Sequence, residues 1–224
     1  MPAARPKDYQ PQVASLFHSV PLDQDSGPLI VGERTNANGS KKFRELMLAG
    51  DQDGMLQMAK EQAHEGAHVL DVCTAYVGRN EIADMTGLLR ALVQKVTAPV
   101  MIDSTQLDVV EEALKIVPGR AIINSINLED GEEKADRLCE LARRYGAMFV
   151  ALTIDEEGMA KTADRKLAVA QRLHDIVVNR HGLRPGDLIF DPLTFTIGSG
   201  DEASRDAGVQ TLRGIELIKR HMPG

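Results

Sequence analysis

The side chains best placed for chemistry are Glu33, Asp71, Asp103, Asn124 and Asp191. Each ends or interrupts a short apolar run, and Asp155 lies three residues beyond a further run. Carboxylates accept hydrogen bonds, and a carboxamide both donates and accepts. If these positions converged on one rim, they would present acceptors and a few donors to a common ligand. A second reading competes, because Asp or Asn after a strand often caps the next helix or forms a turn. Asp103, followed by Ser104 and Thr105, fits that reading, and Asp51 and Thr162 read as caps outright. A cap alone does not explain so many acids and amides at successive run ends.

Other chemistries find no support in the residues. His64 and His68 have helical i, i+4 spacing, but His68 belongs to an apolar run, and neither HExxH nor CxxC is present, so no metal site is expected. There is no GxxxxGK[ST] and no GxSxG, and the glycines near Gly198 are too few for a dinucleotide fingerprint. A neutral, nitrogen-rich heterocycle such as a pterin suits the set better, since carboxylates take its N–H donors and amides serve either edge.

The elements that must position these groups alternate. Apolar runs at 29–31, 68–72, 99–102, 121–123, 148–152 and 188–190 read as strands buried on both faces. Helical spacing fills 51–66, 81–96, 106–117, 131–145, 162–181 and 204–221. Strict alternation predicts an α/β fold with a parallel sheet, and polar residues at six strand ends favour a TIM-type (β/α)8 barrel over an open sheet. About six β/α units are present, too few to close eight strands, so a barrel cut short is expected. Residues 1–28, with prolines at 2, 6, 11, 21 and 28, read as a lead-in, and 29–224 as the barrel domain.

Composition narrows the partners. The formal charge of −7 and 4% aromatics argue against nucleic-acid binding. Two cysteines make no disulfide framework, and neither a signal peptide nor a membrane-length apolar run is seen, so a cytoplasmic protein without a membrane partner is expected.

Leu29-Ile30-Val31-Gly32-Glu33-Arg34-Thr35-Asn36-Ala37-Asn38-Gly39-Ser40 resembles the opening strand and loop of methyltetrahydrofolate-binding barrels, found in cobalamin-dependent methionine synthase and corrinoid protein methyltransferases. The likeness continues, in order, through Leu70-Asp71-Val72-Cys73, Ile102-Asp103-Ser104, Ile123-Asn124-Ser125-Ile126-Asn127, Phe190-Asp191-Pro192-Leu193 and Thr196-Ile197-Gly198-Ser199-Gly200. The lead-in, with Ser15-Leu16-Phe17 and Pro21-Leu22, is similar to the connector before this domain in methionine synthase.

The resemblance implies that Asp103, Asn124 and Asp191 grip the pterin edge. It implies too that Glu33 and Asn36 line the rim, that Asp71 acts directly or from behind, and that Gly198 lets the backbone approach the ligand. Many relatives have Asn where Cys73 stands, and a buried, inert thiol is expected there. The implied function is to bind 5-methyltetrahydrofolate as substrate and present its N5-methyl to cob(I)alamin. No cobalamin motif of the DxHxxG kind is present, so a separate domain or a corrinoid protein would carry the cobalamin. A tertiary amine leaves poorly, so N5 needs a proton or a strong hydrogen bond, and no residue is assigned as its acid.

The alternatives are a methyltetrahydrofolate:corrinoid/iron-sulfur protein methyltransferase, a dihydropteroate synthase-like enzyme, and a truncated folate-binding module without activity of its own. Gly32-Glu33-Arg34-Thr35-Asn36 differs from the Asn-x-Thr-x-Asp-Ser-Phe loop that dihydropteroate synthase would carry.

Overall fold

A computed structural model describes residues 9–196 and 205–223. The lead-in holds two short strands, β1 (Gln12–Ala14) and β2 (Ser19–Pro21), paired antiparallel. Then come β3 (Val31–Gly32), α1 (Lys41–Ala49), α2 (Gln52–His64), β4 (Val69–Val72), α3 (Glu81–Lys95), β5 (Val100–Asp103), α4 (Leu107–Leu114) and β6 (Ile122–Ile126). The chain continues through α5 (Glu132–Tyr145), β7 (Met148–Leu152), the hairpin β8 (Ile154–Asp155) and β9 (Gly158–Met159), α6 (Ala163–His174), β10 (Leu188–Asp191) and α7 (Ala207–His221).

All six apolar runs contribute a strand to one sheet, in the order β10-β7-β6-β5-β4-β3. Each strand neighbours the one before it in the winding, and the order never reverses. An open doubly wound sheet has a reversal at its switch point, whereas a (β/α)8-type barrel winds onward in one sense. The fold is therefore of the barrel type, with six β/α units among the described residues. Its pairings are parallel, with Asp71 opposite Met101 and Asp103 opposite Asn124.

The strands are buried because helices cover them. All four residues of β4 are buried, and α5 turns Ala135, Leu138, Cys139 and Ala142 inward at helical spacing. Local signals set the helix ends. Asp51 accepts from the amide of Gly54, and Thr162 from that of Arg165, so both are caps. Helix α1 lay outside the expected elements. Ser40 caps it, Gly50 closes it at φ 70°, and it buries only Phe43 and Met47, so its apolar signal is thin. Helix α6 runs on as a π-helix over Asp175–Arg180 within the stretch expected to be helical.

The chain divides into two compact units. One runs to Asn124 and adds Arg144–Met148; the other comprises Ser125–Arg143 and the residues from Phe149 onward. In the first unit the lead-in hairpin is held by a β-bridge between Ala14 and Arg120. The Arg120 guanidinium donates to the carbonyls of Gln12 and Gly146, each at 2.9 Å, and stands over the Tyr9 ring. No helix among the described residues is long and apolar enough to cross a membrane.

Candidate functional site

Four of the expected residues meet in the first unit. Past the end of β3, residues 35–37 keep to the edge of β4: the amide of Cys73 donates to the Thr35 carbonyl and that of Ala37 to the Cys73 carbonyl. The Thr35 hydroxyl donates to the Asp71 carbonyl at 2.6 Å, and the Gln62 carboxamide oxygen accepts from the Arg34 amide at 2.7 Å. Helix α2 approaches this closely because residue 32 is glycine; a Cβ there would stand 2.8 Å from Gln62 Oε1 and 3.0 Å from Ala67 Cβ. This scaffold seats Asn36 between the ends of β4 and β5.

Asn36 Nδ2 donates to Asp71 Oδ2 at 2.8 Å and to Asp103 Oδ2 at 2.7 Å. Its Oδ1 accepts from the amides of Asn38 and Gly39 at 2.9 and 3.1 Å. Both amide hydrogens and the amide oxygen are thus engaged, and rotating the amide by half a turn would break all four bonds. Asn36 is a bridge between two acids.

Asp71 is also committed. Its second oxygen accepts from Asn124 Nδ2 at 3.3 Å. It is 3% exposed, and burial, with Asp103 and Glu33 nearby, pushes its pKa up to about 6 against the pull of the two amides. Asp103 is raised as well, by burial first and then by Glu33 and Glu81, opposed by bonds from Asn36 and Cys73. Burying acids near one another disfavours charging all of them. Asp103 and Asn124 are both half-buried. The cap reading of Asp103 fails. The N-cap of α4 is Gln106, which makes no side-chain cap bond, and the Asp103 carboxylate faces Asn36 instead.

Cys73 is buried, and burial raises its thiol to about 12, so it is a neutral donor to Asp103 and not a nucleophile. The thiol thereby does part of what an amide would do there. Glu33 is exposed and lines a cleft of 560 Å³ beside β3, with Arg34, Ser40, Lys41 and Gln62.

The remaining candidates lie in the second unit or outside the described residues. Asp191 ends β10 in the second unit, where its Oδ1 accepts from the Leu193 amide at 2.8 Å. That bond fastens a turn in which Leu193 has φ 55°. Asp155 is spent on Arg165, at 2.6 Å, and on the Glu157 amide. Gly198 lies outside the described residues. Among the described residues no group of His, Cys, Asp and Glu could hold a metal ion.

Glu81 was not among the residues expected to serve the site, because in sequence it reads only as the start of a helix. Its side chain is buried and accepts from Ser104 Oγ at 2.6 Å and from Gln106 Nε2 at 2.5 Å. No spacing rule links residues 23 and 25 apart across two loops.

Residues 32–223 match the family model described as pterin binding enzyme. The chain is similar to methionine synthase of Mycobacterium tuberculosis, 46% identical over 221 residues, which is 97% of this chain and 18% of that protein. It is likewise 46% identical to methionine synthase of Mycobacterium leprae over 217 residues, 95% of this chain and again 18% of the relative. The chain thus spans under a fifth of the length of these curated relatives. Among solved structures, dihydropteroate synthase of Xanthomonas albilineans in complex with 7,8-dihydropteroate aligns with a TM-score of 0.61 at 15% identity, covering 95% of this chain and 72% of that one. The 7,8-dihydropteroate synthase of Vibrio fischeri aligns at 0.62 and 16%, covering 94% and 74%. At such identities these structures speak to the fold alone.

Proposed function

The chain belongs to the pterin-binding enzyme family, and from that premise we propose that it binds 5-methyltetrahydrofolate and presents the N5-methyl for transfer to cob(I)alamin, as the folate domain of a methionine synthase. The observation that carries the reading is the bridge from Asn36 to Asp71 and Asp103. It ties Asp71, Asp103 and Asn124 into one network in which Asp103 and Asn124 are only half-buried, and these two are the groups we assign to the pterin. A carboxylate beside a carboxamide matches the alternating donors and acceptors of a pterin ring. Preorganised groups of this kind hold a substrate in line without reorganising when it arrives.

The acids also suit the reaction. Transfer of the methyl from N5 requires positive charge or a proton on that nitrogen. A neutral pterin held against Asp103, with Asp71 behind it, sits in a field of buried acids that favours such charge. Asp191 and Gly198 keep the pterin-binding roles that the family resemblance assigns them, and Glu33 a place on the rim. A separate domain or a corrinoid protein supplies the cobalamin, whose reduced cobalt accepts the methyl group. Soluble placement in the cytoplasm accords with this chemistry.

Dihydropteroate synthesis is the rival that the shared fold brings forward. The 46% identity to methionine synthases against 15–16% to dihydropteroate synthases favours methyl transfer. Titration of the chain with methyltetrahydrofolate, and separately with a dihydropterin pyrophosphate, tests the choice. Binding of the first, weakened about 10- to 100-fold by Asp103→Asn, is expected. Selective binding of the pyrophosphate would overturn the proposal.

A further inference from the structure

We propose that Glu81 is a positioning residue for the pterin-binding carboxylate of Asp103, tying the loop after β5 to the first turn of α3. The inference rests on the folate reading for its consequence, but its geometry stands within one unit. An acid at the start of a helix is ordinarily solvated and gains a little from the helix dipole. Glu81 departs from that pattern, because it is only 8% exposed and both of its oxygens accept from the neighbouring loop. A buried carboxylate is tolerated when such bonds compensate its lost hydration.

The loop it holds begins one residue after Asp103. Ser104 Oγ donates to Glu81 Oε1 and accepts from the Gln106 amide at 3.1 Å, while the Ser104 amide donates to the Asn124 carbonyl at 3.2 Å. Helix α4 has no side-chain cap of its own, so the turn leading into it is anchored from α3 instead. Glu81 therefore fixes where β5 ends and where Asp103 points. It also adds negative charge near a carboxylate already close to Glu33 and Asp71, an effect opposed by the bonds from Asn36 and Cys73.

The test compares Glu81→Gln, which keeps size and one acceptor but removes the charge, with Glu81→Ala, which removes the anchor. Methyltetrahydrofolate affinity is measured across pH for wild type and both variants, together with amide hydrogen exchange at 104–106. Glu81→Ala is expected to weaken binding about tenfold and to speed exchange of the Gln106 amide. With a negative neighbour gone, Asp103 ionises more easily, so Glu81→Gln is expected to move the acidic limb of the binding profile to lower pH. A purely structural role would not move that limb. A Glu81→Gln profile superimposed on wild type, or unchanged exchange in Glu81→Ala, would overturn the assignment. Failure of the wild-type chain to bind methyltetrahydrofolate would sink the folate reading instead, and the exchange result would still decide whether Glu81 holds the loop.

Discussion

At the scale of residues, the site is governed by how few donors serve its acids. Asn36 divides its amide between Asp71 and Asp103, and Asp71 gains a second donor from Asn124. Asn36→Ala removes the donor that both ionised acids share, so their proton affinity rises. The pH at which pterin binding reaches half its maximum is expected to move upward, and a binding profile with an unshifted midpoint would contradict the bridge. Asp71 makes a second prediction. Its pKa rises from 3.8 in the unfolded chain to about 6, so the folded state binds more protons than the unfolded one between those values. Its contribution to stability is therefore greatest below the unfolded pKa and is lost as pH rises through about 6. The shift corresponds to up to ~3 kcal/mol. Urea unfolding at pH 5 and pH 7.5 should show a fall across this range in wild type that is smaller in Asp71→Asn. Equal falls in the two proteins would exclude Asp71 as its source.

At the scale of elements, tight approaches decide which segments stay docked. Gly119 has φ +79°, and a Cβ there would stand 2.5 Å from the Ala14 carbonyl oxygen. Gly119→Ala thus carries both a left-handed backbone penalty and a collision with the lead-in hairpin. It should cost about 2 kcal/mol and free the hairpin, read as faster amide exchange at Ala14, whose N–H bonds the Arg120 carbonyl. Exchange at Ala14 as slow as in wild type would show that the backbone absorbs the change. Arg120→Met leaves the Gln12 and Gly146 carbonyls without their guanidinium donor and is expected to destabilise by about 2–3 kcal/mol, measured by denaturant titration. The α1 helix shows the limit of periodicity at this scale. Its cap, Ser40, and its closing residue, Gly50, are legible in sequence, but two buried side chains in nine residues do not announce a face.

At the scale of the whole molecule, strand order and family agree. Onward winding through six strands gives the barrel type, and the family match covers residues 32–223. The proposed reaction is tested by mixing the chain with methyltetrahydrofolate and free cob(I)alamin and following methylcobalamin by absorbance. Formation that is abolished by Asp103→Asn supports presentation of the methyl group at this site. Formation that is indifferent to Asp103→Asn would place the transfer elsewhere.

Much of this was already present in the order of residues. Apolar runs alternating with helical spacing specified a parallel α/β fold, because burial on both faces leaves little room for polar positions except at strand ends. Those ends then named Asp71, Asp103 and Asn124. What the linear order could not decide was which side chains would pair with one another. Asn36 lies 35 residues from Asp71 and 67 from Asp103, and Glu81 finds Ser104 across two loops. Such pairings depend on strand register and on how closely helices settle against the sheet. Hydrogen-bond capacity is finite, so only when the tertiary structure had assigned each donor to its acceptor did Asn36 become the bridge between Asp71 and Asp103.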